Sequence, residues 1–209
     1  MKQDLGVKSA RELDGATVCV LAGTTTELNL ADYFRTHNMN YTPVTFDKTD
    51  ETTKAFEAGR CDVLTSDQSQ LYAIRIQLAA PEKTMVLPEI ISKEPLGPVV
   101  RQGDDEWFNV VRWTLFAMLN AEELDVTSTN IDEKKSSDNP TIKRLLGLEG
   151  NMGRSFGLSN DWAYHIIKQV GNYAEIFERN IGKGSPLGIE RGFNALWNEG
   201  GIQYAPPIR

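Results

Sequence analysis

Two short polar stretches hold residue types that could bind a small zwitterion. The first, Gly23-Thr24-Thr25-Thr26-Glu27, follows directly on the apolar run Thr17-Val18-Cys19-Val20-Leu21-Ala22. The second, Thr65-Ser66-Asp67-Gln68-Ser69, follows Cys61-Asp62-Val63-Leu64. Three threonines at the start of a helical pattern, together with the helix's own unpaired first amides, form a donor set for a carboxylate or phosphate. Asp67 offers a carboxylate to a cation, so the two stretches facing one another would match the dipole of an α-amino acid. Each has a plainer structural reading. Thr24-x-x-Glu27 spells a capping box, and Asp67 suits the N-cap of a helix over Gln68–Leu78.

Both stretches need a sheet edge to present them. The run over residues 17–22 predicts a buried parallel strand, and Leu28, Leu30, Ala31, Tyr33 and Phe34 give a helical stripe from Thr26 to about Asn38. A polar lead-in, Leu5 to Gly15, precedes that strand and contains a short helical turn at Ser9–Leu13. Tyr41–Phe46 predicts a second strand, at an edge because of Pro43. Asp50 then caps a short helix that Gly59 closes. Cys61–Thr65 is the third strand, followed by a helix with Leu71, Ile74 and Leu78 on one face, and Thr84–Leu87 is the fourth. Alternating strands and helices imply a parallel sheet, with a ligand crevice where the carboxyl ends of strands one and three adjoin.

The composition limits what that crevice serves. The 209 residues are 40% hydrophobic and 24% charged, which is ordinary for a globular chain. No apolar run approaches the roughly 20 residues of a bilayer span. A net charge of −7 and a pI near 5.0 argue against nucleic-acid partners. The N-terminus, Met1–Gly6, lacks the hydrophobic region of a secretory signal, which leaves a cytosolic chain, a processed one or a fragment.

Cys19 and Cys61 fit no metal motif. If their strands are neighbours the pair can form a disulfide closing a loop of roughly 43 residues, for about 4 kcal/mol on the chain-entropy model. The alternative is two buried thiols. Catalytic motifs of the GxSxG, HExxH and helix-opening GxGxxG kinds are absent. Gly182-Lys183-Gly184-Ser185 has a phosphate-loop flavour, but Phe177 stands where its first glycine belongs and Pro186 follows, so it reads as a turn. His37 and His165 lie far apart. The expected function is binding rather than catalysis, without cofactor or metal.

In the second half, Trp107–Leu119 has helical length and is apolar nearly all round, which implies burial on several sides. Asp125–Asn139 reads as a polar loop. Helices are expected at Pro140–Leu146, Asp161–Val170, Tyr173–Asn180 and Gly188–Asn198, with Trp162, Ile166, Ile167, Val170, Phe193, Leu196 and Trp197 as core stripes.

Gly6–Cys19, Ala22–Leu28, Thr65–Ser69, Gly171-Asn172-Tyr173 and Gly201–Pro207 together resemble the substrate-binding protein of the general L-amino-acid ABC transporter, and the similarity runs to Arg209. The resemblance implies a periplasmic-binding-protein type II α/β lobe, a parallel-type sheet with flanking helices, followed by a mainly helical C-terminal segment. It implies that Thr24, Thr25 and Thr26 hold the ligand's α-carboxylate, Asp67 its ammonium, and Leu21 a backbone or packing contact. It also implies an L-amino acid ligand, an ABC permease partner and a periplasmic location.

Members of that family have two lobes joined by two crossover segments that close on the ligand by hinge motion. By this likeness residues 1–96 are lobe two, Glu94–Val100 is the return crossover, and residues 97–209 are the crossover with the C-terminal elements of an incomplete lobe one. The arginine and aromatic residues that lobe one brings to the ligand are then missing, which implies weak or undetectable binding. Apolar side chains left without their sheet imply a homodimer through the C-terminal segment. The competing reading is an orphan lobe acting as an oligomeric interaction or regulatory protein.

Overall fold

The structure is a computed structural model that describes residues 1–93 and 95–209. Glu94, the first residue of the expected return crossover, lies outside the described residues. The chain forms two compact units, Met1–Leu96 and Gly97–Arg209.

The first unit is built on a parallel three-stranded sheet in the order β2-β1-β3. The strands are β1 (Ala16–Leu21), β2 (Tyr41–Phe46) and β3 (Val63–Leu64), and the helices are α1 (Thr25–Thr36), α2 (Thr49–Glu57) and α3 (Gln68–Arg75). All six residues of β1 pair with β2, from Ala16 opposite Tyr41 to Leu21 opposite Phe46. Only Val18–Val63 and Cys19–Leu64 pair it with β3. Because side chains alternate along a strand, β1 serves two cores. Val18 and Val20 pack with Leu30 and Phe34 of α1 and with Ala10 and Leu13. Cys19 faces Ala55 and Phe56 of α2, with Leu71 and Ile74 of α3 packed alongside. Helices on both faces explain why β1 is a continuous apolar run.

Three local expectations need correction. Residues 84–87 form no strand. Lys2 and Thr84 make an isolated antiparallel bridge, and the Met85 amide donates to the Met1 carbonyl at 2.9 Å. The segment is therefore satisfied by the N-terminal residues rather than by the parallel sheet. β3 is two residues long instead of five, since Cys61 and Asp62 turn into the strand and Thr65 leaves it after one bond to the Cys19 carbonyl. Asp50 lies in the first turn of α2, while Lys48 occupies the cap position without a side-chain bond.

The second unit is helical: α4 (Asp105–Glu123), α5 (Ile131–Lys134), α6 (Pro140–Leu145), α7 (Met152–Ser155), α8 (Trp162–Val170) and α9 (Tyr173–Asn180). The C-terminal half of α4 buries Ala117, Leu119 and Ala121, partly in a core with Ile142, Leu145, Trp162 and Ile167. The helix thus finds cover among α6 and α8, while Trp107 and Phe108 at its start are about half exposed. The expected polar loop 125–139 is anchored at two fully buried residues, Val126 and Ile131, and contains α5. No helix forms over residues 188–198. Two 3-10 turns, Gly192–Asn194 and Trp197–Glu199, flank Leu196, which bridges Gln203. Gly188 and Gly192 there have φ of +60° and +48°, outside the right-handed helical region. Gly171-Asn172-Tyr173 serves the packing of this unit. Asn172 and Glu175 make a capping box on α9, and the side-chain amide of Asn172 donates to the Val126 carbonyl at 3.0 Å.

Candidate functional site

The carboxyl end of β1 turns sharply into α1. Gly23 makes the turn with φ of +69°, a conformation that glycine adopts without a Cβ penalty. Its amide donates to Glu27 Oε2 at 2.8 Å, and the Ala22 amide donates to the Phe46 carbonyl of β2 at 2.9 Å. Thr24 is the N-cap of α1, its Oγ1 accepting from the Glu27 amide at 3.4 Å. The same hydroxyl donates to the Leu21 carbonyl at 2.8 Å. The Thr24 hydroxyl proton is therefore already engaged, as is the carbonyl of Leu21.

Thr25 and Thr26 differ from it. Thr25 is exposed and Thr26 half-buried, and among the described residues neither hydroxyl has a hydrogen-bond partner. As the first two residues of α1 they also carry amides with no intrahelical acceptor, at the positive end of the helix dipole. A donor pair of this kind suits an anion.

β3 pairs with β1 at Val18–Val63 and Cys19–Leu64, and after one further bond, from the Thr65 amide to the Cys19 carbonyl at 3.1 Å, the chain runs through Ser66 to Asp67 past the carboxyl end of β3. In the order β2-β1-β3 the chain leaves β1 towards β2 and returns on the other side for β3, so this edge is the topological switch point. Asp67 occupies the N-cap position of α3, yet its carboxylate makes no capping bond. It is half-buried and has no ion pair or hydrogen bond among the described residues. The Ser66 hydroxyl is instead engaged by Gln70. Capping thus accounts for Thr24 and leaves the Asp67 carboxylate unexplained.

The Thr24-x-x-Glu27 spacing points to a capping box, and Glu27 does reach back, but to the amide of Gly23, one residue before the cap. Sequence reasoning missed one support of this edge: Thr17 and Asp62 exchange bonds across 45 residues, for which no local pattern exists. The Thr17 amide and hydroxyl donate to Asp62 Oδ2 at 3.0 and 2.5 Å, and the Asp62 amide donates to the Thr17 hydroxyl at 3.0 Å. These bonds from Thr17 hold the Asp62 carboxyl below its ordinary value, with Lys2 adding to them. Next to them a disulfide joins Cys19 and Cys61, both fully buried, with Cα atoms 5.6 Å apart.

At the edge Thr25 is exposed, and Thr24, Thr26 and Asp67 are half-buried. A cavity of about 450 Å³ lies elsewhere in the first unit, lined by residues including Lys2, Phe56, Leu78 and Lys83 but none of Thr24, Thr25, Thr26 or Asp67. Among the described residues no group of three His, Cys, Asp or Glu side chains could hold a metal ion, and no helix is long and apolar enough to cross a membrane.

No protein-family model matches the chain. It is 68% identical over 205 residues to the putative amino-acid ABC transporter-binding protein YhdW of Escherichia coli K12, covering 98% of this chain and 60% of that protein. It is 62% identical over 211 residues to the general L-amino acid-binding periplasmic protein AapJ of Rhizobium johnstonii, covering 100% of this chain and 62% of that protein. It is 52% identical over 210 residues to the glutamate/glutamine/aspartate/asparagine-binding protein BztA of Rhodobacter capsulatus, covering 100% of this chain and 62% of that protein. Among solved structures, an ABC transporter periplasmic binding protein from Brucella ovis with glutathione bound superimposes with a TM-score of 0.90 at 59% identity, covering 98% of this chain and 64% of that one. The chain spans about three fifths of the length of the curated relatives it matches.

Proposed function

From the premise that the chain is a homologue of the amino-acid ABC transporter-binding proteins, we propose that its first unit contributes the α-carboxylate and α-ammonium contacts of an L-amino-acid site in a solute-binding component of import. Thr25 and Thr26 receive the carboxylate through hydroxyls and amides. Thr24 contributes its amide while its hydroxyl holds the turn, Leu21 gives a packing contact, and Asp67 receives the ammonium. The observation that carries this reading is the half-buried Asp67 carboxylate, placed at a helix cap that it does not use, at the carboxyl end of the same sheet from which α1 starts with Thr25 and Thr26. Glutathione, present in the Brucella ovis structure, bears an α-ammonium and an α-carboxylate at its γ-glutamyl end, the same pair of charges.

The proposed partner is an ABC permease, the proposed location the periplasm, and no catalytic role is assigned. With Thr25 exposed and Thr24, Thr26 and Asp67 only half-buried, each polar contact has a solvent competitor and little apolar ligand surface is buried. The 209-residue chain by itself therefore binds amino acids in the millimolar range or more weakly. In the second unit Phe193, Trp197, Ile202 and Tyr204 are all more than half exposed. Covering such side chains is worth up to about 2 kcal/mol each, which supports a twofold dimer through the C-terminal segments.

Calorimetry with a panel of L-amino acids and glutathione tests the binding reading. Saturable heat at millimolar ligand that disappears in Asp67→Ala is the expected result. The absence of heat with every ligand at tens of millimolar would favour an interaction protein and overturn it.

A further inference from the structure

β3 is a weak platform for the residue it must deliver. It pairs with β1 through two residue pairs only, whereas β2 pairs through six. Past it the chain has one backbone bond to β1, from the Thr65 amide to the Cys19 carbonyl at 3.1 Å, before reaching Asp67. A two-residue edge strand of this kind would open locally far more readily than the rest of the sheet.

Beyond the burial of Val63 and Leu64 in the cores on the two faces, the ties to β1 that compensate lie immediately before β3. Cys61 is covalently tied to Cys19, and the neighbouring Asp62 exchanges side-chain and backbone bonds with Thr17, two residues earlier on the same central strand. The Asp62 amide also donates to the Thr17 carbonyl at 3.0 Å. The loop that arrives there carries few anchors of its own, since Ala58 and Gly59 end α2 and Arg60 bonds back to Ala55. The covalent bond and the Thr17–Asp62 exchange therefore fix where β3 starts, and Asp67 follows only six residues after Cys61.

We propose that Cys19, Cys61, Thr17 and Asp62 are positioning residues for amino-acid binding, a clasp that holds β3 against β1 and so keeps Asp67 opposite Thr25 and Thr26. The proposal rests on the reading of those residues as the binding edge. None of the four touches the ligand. Each acts through the placement of the ammonium-binding carboxylate relative to the carboxylate-binding donors.

The test uses the 209-residue chain and has two arms. Native-state amide exchange is measured at Thr65, on the β3 side, with Ala22, whose amide bonds to Phe46 on the β2 side, as the internal control. In Cys19→Ala/Cys61→Ala and in Thr17→Val, Thr65 exchange is expected to accelerate about tenfold or more while Ala22 changes by less than about twofold. Equal acceleration at both amides, or at neither, overturns the clasp. If the double cysteine variant does not fold, Thr17→Val, which keeps the side-chain volume and the disulfide, decides alone. The second arm titrates L-glutamate against the Thr25, Thr26 and Asp67 amide resonances. Variants with accelerated Thr65 exchange should bind at least about threefold more weakly, and unchanged affinity in such a variant overturns the positioning role. A wild-type chain whose amides do not respond overturns the amino-acid reading instead, and the Thr65 measurement still decides whether the clasp exists.

Discussion

The Thr24 hydroxyl donates to the carbonyl of Leu21 at 2.8 Å, so the turn from strand to helix is closed by the first of the three threonines. That separates Thr24 from its two successors. Thr24→Val removes both the donated bond and the cap on the Glu27 amide and should cost about 1 kcal/mol of stability. Thr25→Val and Thr26→Val break no bond among the described residues and should leave the melting temperature nearly unchanged while weakening any response to L-glutamate. Thermal melts beside an amide-resolved titration give both readouts, and a Thr25 or Thr26 variant that destabilises as much as Thr24→Val contradicts this division of labour.

Asp67 permits a sharper contrast, because a capping role and a ligand role make opposite forecasts. The carboxylate makes no cap bond, so Asp67→Ala should alter stability by less than about 0.5 kcal/mol, as expected for a substitution that removes no contact. It should also remove the calorimetric signal with L-amino acids. A loss of about 1 kcal/mol with binding unchanged would mean that the aspartate caps α3 in solution.

A pH dependence follows from Asp62. Its carboxyl lies below the ordinary value because Thr17 donates to the charged form. A carboxylate with a depressed folded-state pKa contributes stability that is present above its unfolded pKa, about 4, and is lost as pH falls through the lower folded value. Thr17→Val should thus lower stability near pH 7 by no more than about 1 kcal/mol, since the carboxyl is largely open to solvent, and the gap to wild type should narrow in melts taken at pH falling below about 4. A gap that is constant across that window would show that the contribution of Thr17 is packing alone.

Local periodicity accounts for what was legible in the chain itself. The runs around Val18–Leu21 and Leu28–Phe34 anticipate β1 and α1 to within one or two residues, because a strand buried on both faces and an amphipathic helix each leave a repeat in the chain. Pro43 marks β2 as an edge strand, as the order β2-β1-β3 has it. What failed depended on partners distant in sequence. Thr84–Leu87 has strand-like residues, but its bonds go to Met1 and Lys2, more than 80 positions away. Gly188–Asn198 has a helical stripe, but Leu196 instead packs with Leu119 and Ala205, and Gly201 meets the carbonyl of Ala195 so closely that a Cβ there would clash. At the edge itself, residue types named the hydroxyls without telling which one the turn would use.

The last expectation concerns assembly and turns on four side chains in the C-terminal segment. Phe193, Trp197, Ile202 and Tyr204 are 60, 51, 71 and 69% exposed, and Trp197 meets Tyr204 edge-to-face with ring centroids 5.8 Å apart. Aromatic and aliphatic side chains gathered in this way are costly to leave in water and suit the centre of an interface. Their backbone is held firmly enough to present them, since the Trp197 amide bonds to the Gln203 carbonyl at 3.0 Å and Asn120 of α4 donates to the Pro206 carbonyl at 2.9 Å. The 209-residue chain, 23.3 kDa as a monomer, is therefore expected to scatter light as a species of twice that mass at micromolar concentration. Ile202→Asp combined with Phe193→Ser should return it to the monomer with little change in far-ultraviolet circular dichroism, because neither side chain is buried within its own unit. A wild-type monomer across that range that binds no hydrophobic dye would show that the exposed cluster needs no partner copy.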